Sequence, residues 1–317
     1  MNIWKDLPKP IFALAPMEGV TDTVFRQIVA SCGKPSVFFT EFTNVDGLFS
    51  KGKSKVEHRL IFKPQEKPII AQLWGMQPHN YSKAAKVIQN MGFDGIDINM
   101  GCPQKSVVKR GACAGLIHNK KLAGEIINAT KNGSKLPISV KTRIGIDKIE
   151  TQAWISFLLE QRIDALIIHP RTVREQSNTP AHWEEIKTAV LLRNKIAPQT
   201  ILIGNGDVIS LEEAYKKIEE FGLDGIMMGR GIFRDPFLFN ENLSLENLSL
   251  GKRLDLLLEH AALFEKTWER YKHFPILKKF FKIYTYGLNN AKETRKMLME
   301  ANNYEETVKI CSVAKQM

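Results

Sequence analysis

The stretch TILIGNGDVISLEEAYKKIEEFGLDGIMMGRG, residues 200–231, contains in one piece the pattern that decides the fold. An apolar run from Thr200 closes on glycine and aspartate, a segment with helical spacing follows, and a second apolar run from Gly225 closes on Gly229, Arg230 and Gly231. Gly222 stands directly after LEEAYKKIEEF, where a helix ends on a left-handed residue and glycine adopts that conformation without strain. Strand, helix, strand in close succession implies parallel pairing, because parallel strands need a crossover between them.

The same unit recurs upstream. IFALAPM starts at Ile11, VFFTEF at Val37, IIAQLWG at Ile69, GIDINMG at Gly95, ISVKTRIG at Ile138 and ALIIHPR at Ala165, and helical spacing such as PHNYSKAAKVIQNMG (78–92) separates most of them. Eight strand-and-helix units predict an α/β chain of the (β/α)8 or TIM-barrel type. A doubly wound open sheet is the competing arrangement, but no strand runs into the G-x-G-x-x-G that would mark its dinucleotide site. Beyond FRDPFLFNENLSLENLSLG the strand pattern stops. KRLDLLLEHAALFEKTWERYKHF, PILKKFFKIYTYGL and NAKETRKMLMEANNYEETVKIC read as helices with a common apolar stripe. The expected division is therefore a catalytic barrel over residues 1–240 and an all-α helical-bundle domain over 241–317.

Composition narrows the function classes. With 317 residues, 44% hydrophobic and 25% charged, the chain has the balance of a folded soluble protein and not of a disordered one. No apolar run reaches the ~18 residues of a membrane span, and the N-terminus lacks a basic leader followed by an apolar stretch, so a cytoplasmic protein without membrane contact, acting as a monomer, is expected. Cys32, Cys102, Cys113 and Cys311 form no C-x-x-C pair, which argues against a disulfide framework or a zinc site, and no metal is expected. Lysine and arginine exceed aspartate and glutamate by 45 to 34, a net charge of +11 that favours a polyanionic partner.

In a parallel barrel, chemistry gathers at the C-terminal ends of the strands. Those ends supply Pro16, Met17, Glu41, Gln72, Asn99, Cys102, Lys141, Arg143, His169, Arg171, Asn205, Asp207 and Arg230, too many converging polar groups for solvated strand ends alone. The last two strand ends, GNGD (204–207) and GRG (229–231), carry the glycines and the guanidinium suited to a phosphate. Lys141, projecting inward with few carboxylates in its own segment, calls for an anion or an electron-rich ring. A phosphate at one end and a flat hydrogen-bonding heterocycle at the other describe FMN.

The motifs APMEGVTD, INMGCP, VKTRIG, HPRT, GNGD and MGRG, in this order, resemble those of the tRNA-dihydrouridine synthase family, of the bacterial FMN-dependent type. The resemblance implies an FMN enzyme that reduces uridines of tRNA to dihydrouridine with NADPH as reductant. It further implies that Pro16, Met17 and Glu18 line the flavin, that Gln72 and Lys141 hydrogen-bond its ring, that His169 contacts it, and that Asn205, Gly206, Asp207, Gly229 and Arg230 hold its phosphate end. Cys102 matches the family's catalytic cysteine. Two departures stand out. HPRT replaces the common H-G-R-T, so Pro170 removes a backbone donor, and Cys113 occupies a position where another small residue is usual and packing is its expected role.

Reducing the uracil double bond requires a hydride on one carbon and a proton on the other. A thiol with an ordinary pKa of ~8.5 is protonated at neutral pH and can still give its proton to a forming enolate, which makes Cys102 the expected acid. Asn99, Arg143 and Arg171 are expected at the substrate, and Lys105, Lys109 and Arg110 at phosphates beside the target nucleotide. Lys278, Lys279 and Lys282, interleaved with aromatics in KKFFKIYTYG, extend that surface into the helical tail. A flavin-dependent dehydrogenase of a small pyrimidine would share the ring and phosphate contacts but would not need the basic tail. A catalytically silent tRNA-binding protein would have no use for Cys102, Lys141 and Arg230.

Overall fold

Short β-branched and aliphatic runs form each expected strand, and their near-continuous apolarity reflects burial on both faces of a parallel sheet. The computed structural model describes residues 2–269, 271–287 and 291–316. Its strands are β1 (Ile11–Leu14), β2 (Phe38–Phe39), β3 (Thr43–Asn44), β4 (Ile69–Trp74), β5 (Gly95–Met100), β6 (Ile138–Arg143), β7 (Ala165–His169), β8 (Ile201–Asn205) and β9 (Gly225–Met228). They pair in parallel in the order β1-β9-β8-β7-β6-β5-β4-β2, with β3 also on β4, and a bridge between Ala13 and Val37 joins the two ends of the order. This is the expected barrel.

VFFTEF does not form the single strand its composition suggests. It splits into β2 and the region before β3, because the Thr40 hydroxyl accepts the Gln72 backbone N–H at 3.0 Å and so occupies a donor that a strand carbonyl would otherwise take. The Leu211–Phe221 helix has the ends its sequence promises: Ser210 caps it by accepting the Glu213 N–H, and Gly222 closes it at φ 68°. The Pro78–Asn90 helix begins with proline, whose missing N–H costs nothing there.

The side-chain period of two divides the barrel interior into unlike halves. Ile11, Ala13 and Ala15 join Val37, Phe39, Ala165, Ile167, Ile201, Ile203 and Met227 in one buried apolar cluster, which Trp4 of the short Ile3–Asp6 helix completes. On β4 to β6 the inward register instead presents Gln72 opposite Asp97, Asp97 opposite Ser139, and Asn99 opposite Lys141. Gly225 lets the barrel close against β1. A Cβ there would stand 2.1 Å from the Ile11 carbonyl oxygen. Gly225→Ala should force β1 from β9 and cost about 3 kcal/mol, the upper end of ordinary overpacking, read as a lower urea midpoint at unchanged slope.

The chain divides into two compact units, Met1–Thr23 with Pro35–Gly229, and Val24–Lys34 with Arg230–Met317. The second unit thus takes most of the Thr23–Cys32 helix along with the C-terminal helices. Phe25 from that helix packs on His260 and Phe280 at ring separations of 5.7 and 4.8 Å, and the Asn240 amide donates to the Cys32 carbonyl at 2.9 Å. Leu250–Trp268 forms the expected long helix. PILKKFFKIYTYGL gives a 3-10 run, Phe274–Phe280, followed by a short helix, Phe281–Thr285, instead of one α-helix. The last expected helix breaks in two, Ala291–Leu298 and Tyr304–Ala314, because the Asn303 side chain accepts the Glu306 N–H and starts a new helix. No described helix is long and apolar enough to cross a membrane.

Candidate active site

Strand pairing brings the inward polar residues of β4, β5 and β6 into one hydrogen-bonded set. Gln72, fully buried, donates from Nε2 to Asp97 Oδ2 at 2.7 Å and accepts at Oε1 from Asn99 Nδ2 at 3.0 Å. Asn99 Oδ1 then accepts the backbone N–H groups of Gly101 and Cys102, each at 3.0 Å. Gln72 and Asn99, expected at the flavin ring and the uracil edge, therefore spend these polar atoms on holding the cysteine loop. Lys141, half-buried, donates to Asn205 Oδ1 at 2.7 Å, and Asn205 donates onward to the Met227 carbonyl at 2.8 Å. The inward lysine is thus not unpartnered, and the Asn205 side chain spans from β6 to β9. Burial pushes the Lys141 ammonium down to about 8, helped by the nearby Arg143 charge.

Cys102 sits half-buried just past the end of β5. The Cys113 thiol hydrogen-bonds to its sulfur, the Gln104 backbone adds a second hydrogen bond, and the Arg143 charge lies close. Against burial and the Glu18 charge, these pull the Cys102 thiol down to about 6, while Cys113 is held well above the ordinary range. This corrects two expectations: the Cys102 thiol is more acidic than an ordinary one, and Cys113 is its hydrogen-bonding neighbour as well as a packed residue. Cys113 has a left-handed backbone, φ 50°, which few non-glycine residues adopt. Removing the Cys113 thiol should release Cys102. In Cys113→Ala the pH midpoint of Cys102 alkylation by iodoacetamide should rise from near 6 toward ~8.5, and an unmoved midpoint would show that Cys113 does not set it.

Arg143 and Arg171 are both buried, contrary to a direct substrate role. Arg143 donates from Nε to the Gly101 carbonyl at 3.0 Å and from Nη1 to the carbonyls of Thr172 and Gln176, both at 2.9 Å. It ties the cysteine loop to the loop after β7. Arg171 donates to the Thr179 carbonyl and to Asp207 Oδ2, and its Nη1 lies 2.9 Å from His169 Nε2. Asp207, with φ 59°, also accepts the Ala181 N–H at 3.0 Å. Its carboxylate therefore organises the loop after β7, and only its backbone is suited to an anion. Gly206 has φ 141°, a backbone that side chains rarely adopt, and a Cβ there would crowd the half-buried His169 ring at 3.2 Å.

Pro16 and Met17 are half-buried beyond β1, and a Cβ at Gly229 would stand 3.8 Å from Met17 Sδ. Glu18 is exposed and gripped by Arg59 through Nη2 at 2.5 Å and Nε at 3.0 Å, so the basic segment at 50–59 is partly neutralised from within. Lys105, Lys109 and Arg110 are exposed on the loop after Cys102. Arg230 is exposed and opens the second unit. Also in that unit, Lys278 donates to the Met299 carbonyl at 2.6 Å, Lys279 lies over the Phe280 ring at 5.2 Å, and Lys282 is exposed. Among the described residues no His, Cys, Asp and Glu cluster is built to hold a metal ion.

Asp97 and Ser139 are site residues that strand-end reasoning misses. Asp97 is a charged residue inside a strand of isoleucines, two positions before Asn99 and so on the same face, and that parity is the available signal. No spacing rule pairs Cys102 with Cys113, because the intervening loop decides their contact. The donor set fits a flavin: Lys141 supplies a half-buried, poorly hydrated ammonium suited to an electron-rich partner.

Known proteins resemble this chain in sequence and in fold. The dihydrouridine synthase (Dus) family model matches residues 13–317. A Staphylococcus aureus (strain COL) protein named "Probable tRNA-dihydrouridine synthase" is 44% identical over 308 residues, 96% of this chain and 93% of that one. "Probable tRNA-dihydrouridine synthase 2" of Bacillus subtilis (strain 168) is 43% identical over 96% of this chain and 94% of its own. Among solved structures, morphinone reductase superposes with a TM-score of 0.52 at 12% identity, covering 72% of this chain and 84% of its own, a likeness of fold. The parallel strand order places the chain among the (β/α)8 barrels, the fold it shares with that neighbour. The chain is a member of the dihydrouridine synthase family, as its six ordered motifs lead one to expect. The reaction that goes with this membership is flavin-dependent reduction of uridine in tRNA.

Proposed function

We propose that the flavin is FMN, that NADPH reduces it, and that Cys102 protonates the uracil ring of a uridine drawn out of its stack into the barrel mouth. The observation that carries this reading is the hydrogen-bonded cysteine loop fixed at the strand ends beside a half-buried lysine on the neighbouring strand. Bound reduced FMN would supply the hydride to one carbon of the uracil double bond. Cys102 gives the proton to the other, and Asn99 and Arg143 keep its loop in place from the backbone side. Lys141 would donate to the electron-rich end of the flavin ring, Pro16 and Met17 would line it, and His169 would contact it. The backbone of Asn205, Gly206, Asp207 and Gly229 is the proposed seat of its phosphate.

The protein incubated with FMN, NADPH and unmodified tRNA should convert uridine to a product ~2 mass units heavier, the two hydrogens added across the double bond, in particular digestion fragments. A reducible bound flavin with no mass gain in tRNA would overturn the reading. Lys105, Lys109 and Arg110 are proposed to meet phosphates near the target, with Lys282 and Lys279 adding contacts from the second unit. Replacing Lys105, Lys109 and Arg110 with alanine should lower the magnitude of the salt slope of tRNA binding by roughly 0.7–0.9 for each phosphate no longer neutralised, and an unchanged slope would remove them from the interface.

A further inference from the structure

The hydrogen bonds from Asp97 to Cys102 have a direction. Asp97 is fully buried, and its carboxylate accepts from Ser139 Oγ at 2.6 Å and from Gln72 Nε2 at 2.7 Å. An ionised carboxylate only accepts, so the NH2 end of Gln72 must face it and the Gln72 oxygen must face Asn99. That oxygen in turn demands the NH2 end of Asn99, at 3.0 Å, which leaves the Asn99 oxygen for the N–H groups of Gly101 and Cys102. Each amide could be turned over without changing its shape, and only the end of the chain that cannot donate decides the sense of the whole.

We propose that Asp97 is a positioning residue, whose buried charge fixes the orientation of Gln72 and Asn99 and through them holds the Cys102 loop in register. It acts at a distance: the charged groups that bear on the Cys102 sulfur are Arg143, Glu18 and Lys141, and its hydrogen-bonding neighbours are Cys113 and Gln104. Burial raises the Asp97 carboxyl to about 6, opposed by its bonds to Ser139 and Gln72 and by the Lys141 charge, so the relay keeps its sense above that pH. The role deepens the reading of Cys102 as the proton donor and rests on it, since only there does the loop's register bear on the reaction.

Asp97→Asn supplies an NH2 group that can turn toward Gln72, so the relay loses its fixed sense. The pH midpoint of Cys102 alkylation should then rise by about one unit or more, as the loop leaves Cys113 and the thiol returns toward its ordinary range. Loss of a negative charge acting through space alone would move the midpoint down, and a purely structural defect would lower the melting temperature with the midpoint unmoved. Adding Gln72→Glu to Asp97→Asn returns an acceptor-only group to the relay, which again forces the Asn99 NH2 inward, and should restore the midpoint. An unmoved or lowered midpoint in Asp97→Asn, or a raised one that Gln72→Glu does not restore, overturns the proposal. If Asp97→Asn fails to fold, Asn99→Leu reads the last link: it should raise the midpoint, and an unmoved midpoint again overturns the proposal. Alkylation needs neither flavin nor tRNA, so positioning can stand even if single-turnover assays reject Cys102 as the acid.

Discussion

Replacing Cys102 with alanine should slow dihydrouridine formation in a single turnover by roughly 10²–10⁴-fold, the usual contribution of a positioned general acid, while flavin binding and flavin reduction by NADPH stay as they were. The split follows from where the thiol sits. Cys102 lies on the loop beyond β5, held through backbone N–H groups that alanine retains, so the loop keeps its anchor on Asn99. Only the proton is removed. Quenched-flow digestion and mass measurement of the tRNA read the loss, and an undiminished rate would reject Cys102 as the acid. The pH dependence has a definite sign. With Cys102 as the proposed acid the reaction needs the protonated thiol, so the proton-transfer step in the free enzyme should weaken as pH rises through about 6. At pH 7 the acid form is then about 10% of the total, and negative charge forming on the uracil beside the sulfur raises that share where it is used.

Lys141→Met should weaken FMN binding roughly 10- to 100-fold, corresponding to about 1.5–3 kcal/mol for a hydrogen bond from a charged donor. Methionine keeps the length of the side chain and discards its charge. The lysine is half-buried and pushed down to about 8, chiefly by burial, so it is poorly hydrated and gains more than an exposed lysine would from an electron-rich ring. Its charge is fully present below that pH and is lost as pH rises through it, so the wild-type affinity should itself decline above about 8. Quenching of FMN fluorescence measures both effects. An unchanged affinity would confine Lys141 to its bond with Asn205.

The strands were legible because apolar runs closed by glycine or proline leave little choice, and Ser210 and Gly222 announced both ends of their helix. VFFTEF was less legible because the hydroxyl that interrupts it acts on a strand far along the sequence. Within the site, the positions of Cys102 and Lys141 at the strand ends could be read from the sequence alone. The uses of Gln72, Asn99, Arg143 and Arg171 could not, since each is decided by a partner 8 to 42 residues away in the chain. Polar type and strand position say that a residue reaches the barrel mouth, but not whether its atoms are already taken when it arrives. Asp97 lay in plain view and looked like an exception to an apolar strand.

The barrel is unevenly fastened around its circumference. From β4 to β8 each seam is a run of paired residues, whereas β1 meets the segment before β2 through the Ala13–Val37 bridge, with a backbone N–H to carbonyl separation of 3.4 Å from Val37 to Phe12. β1, which leads into Pro16 and Met17, is paired over four residues with β9 and by that bridge on its other edge, whereas β5, which leads into Cys102, is paired along both edges. The proposed proton donor is thus carried just beyond a strand that is held along both of its edges.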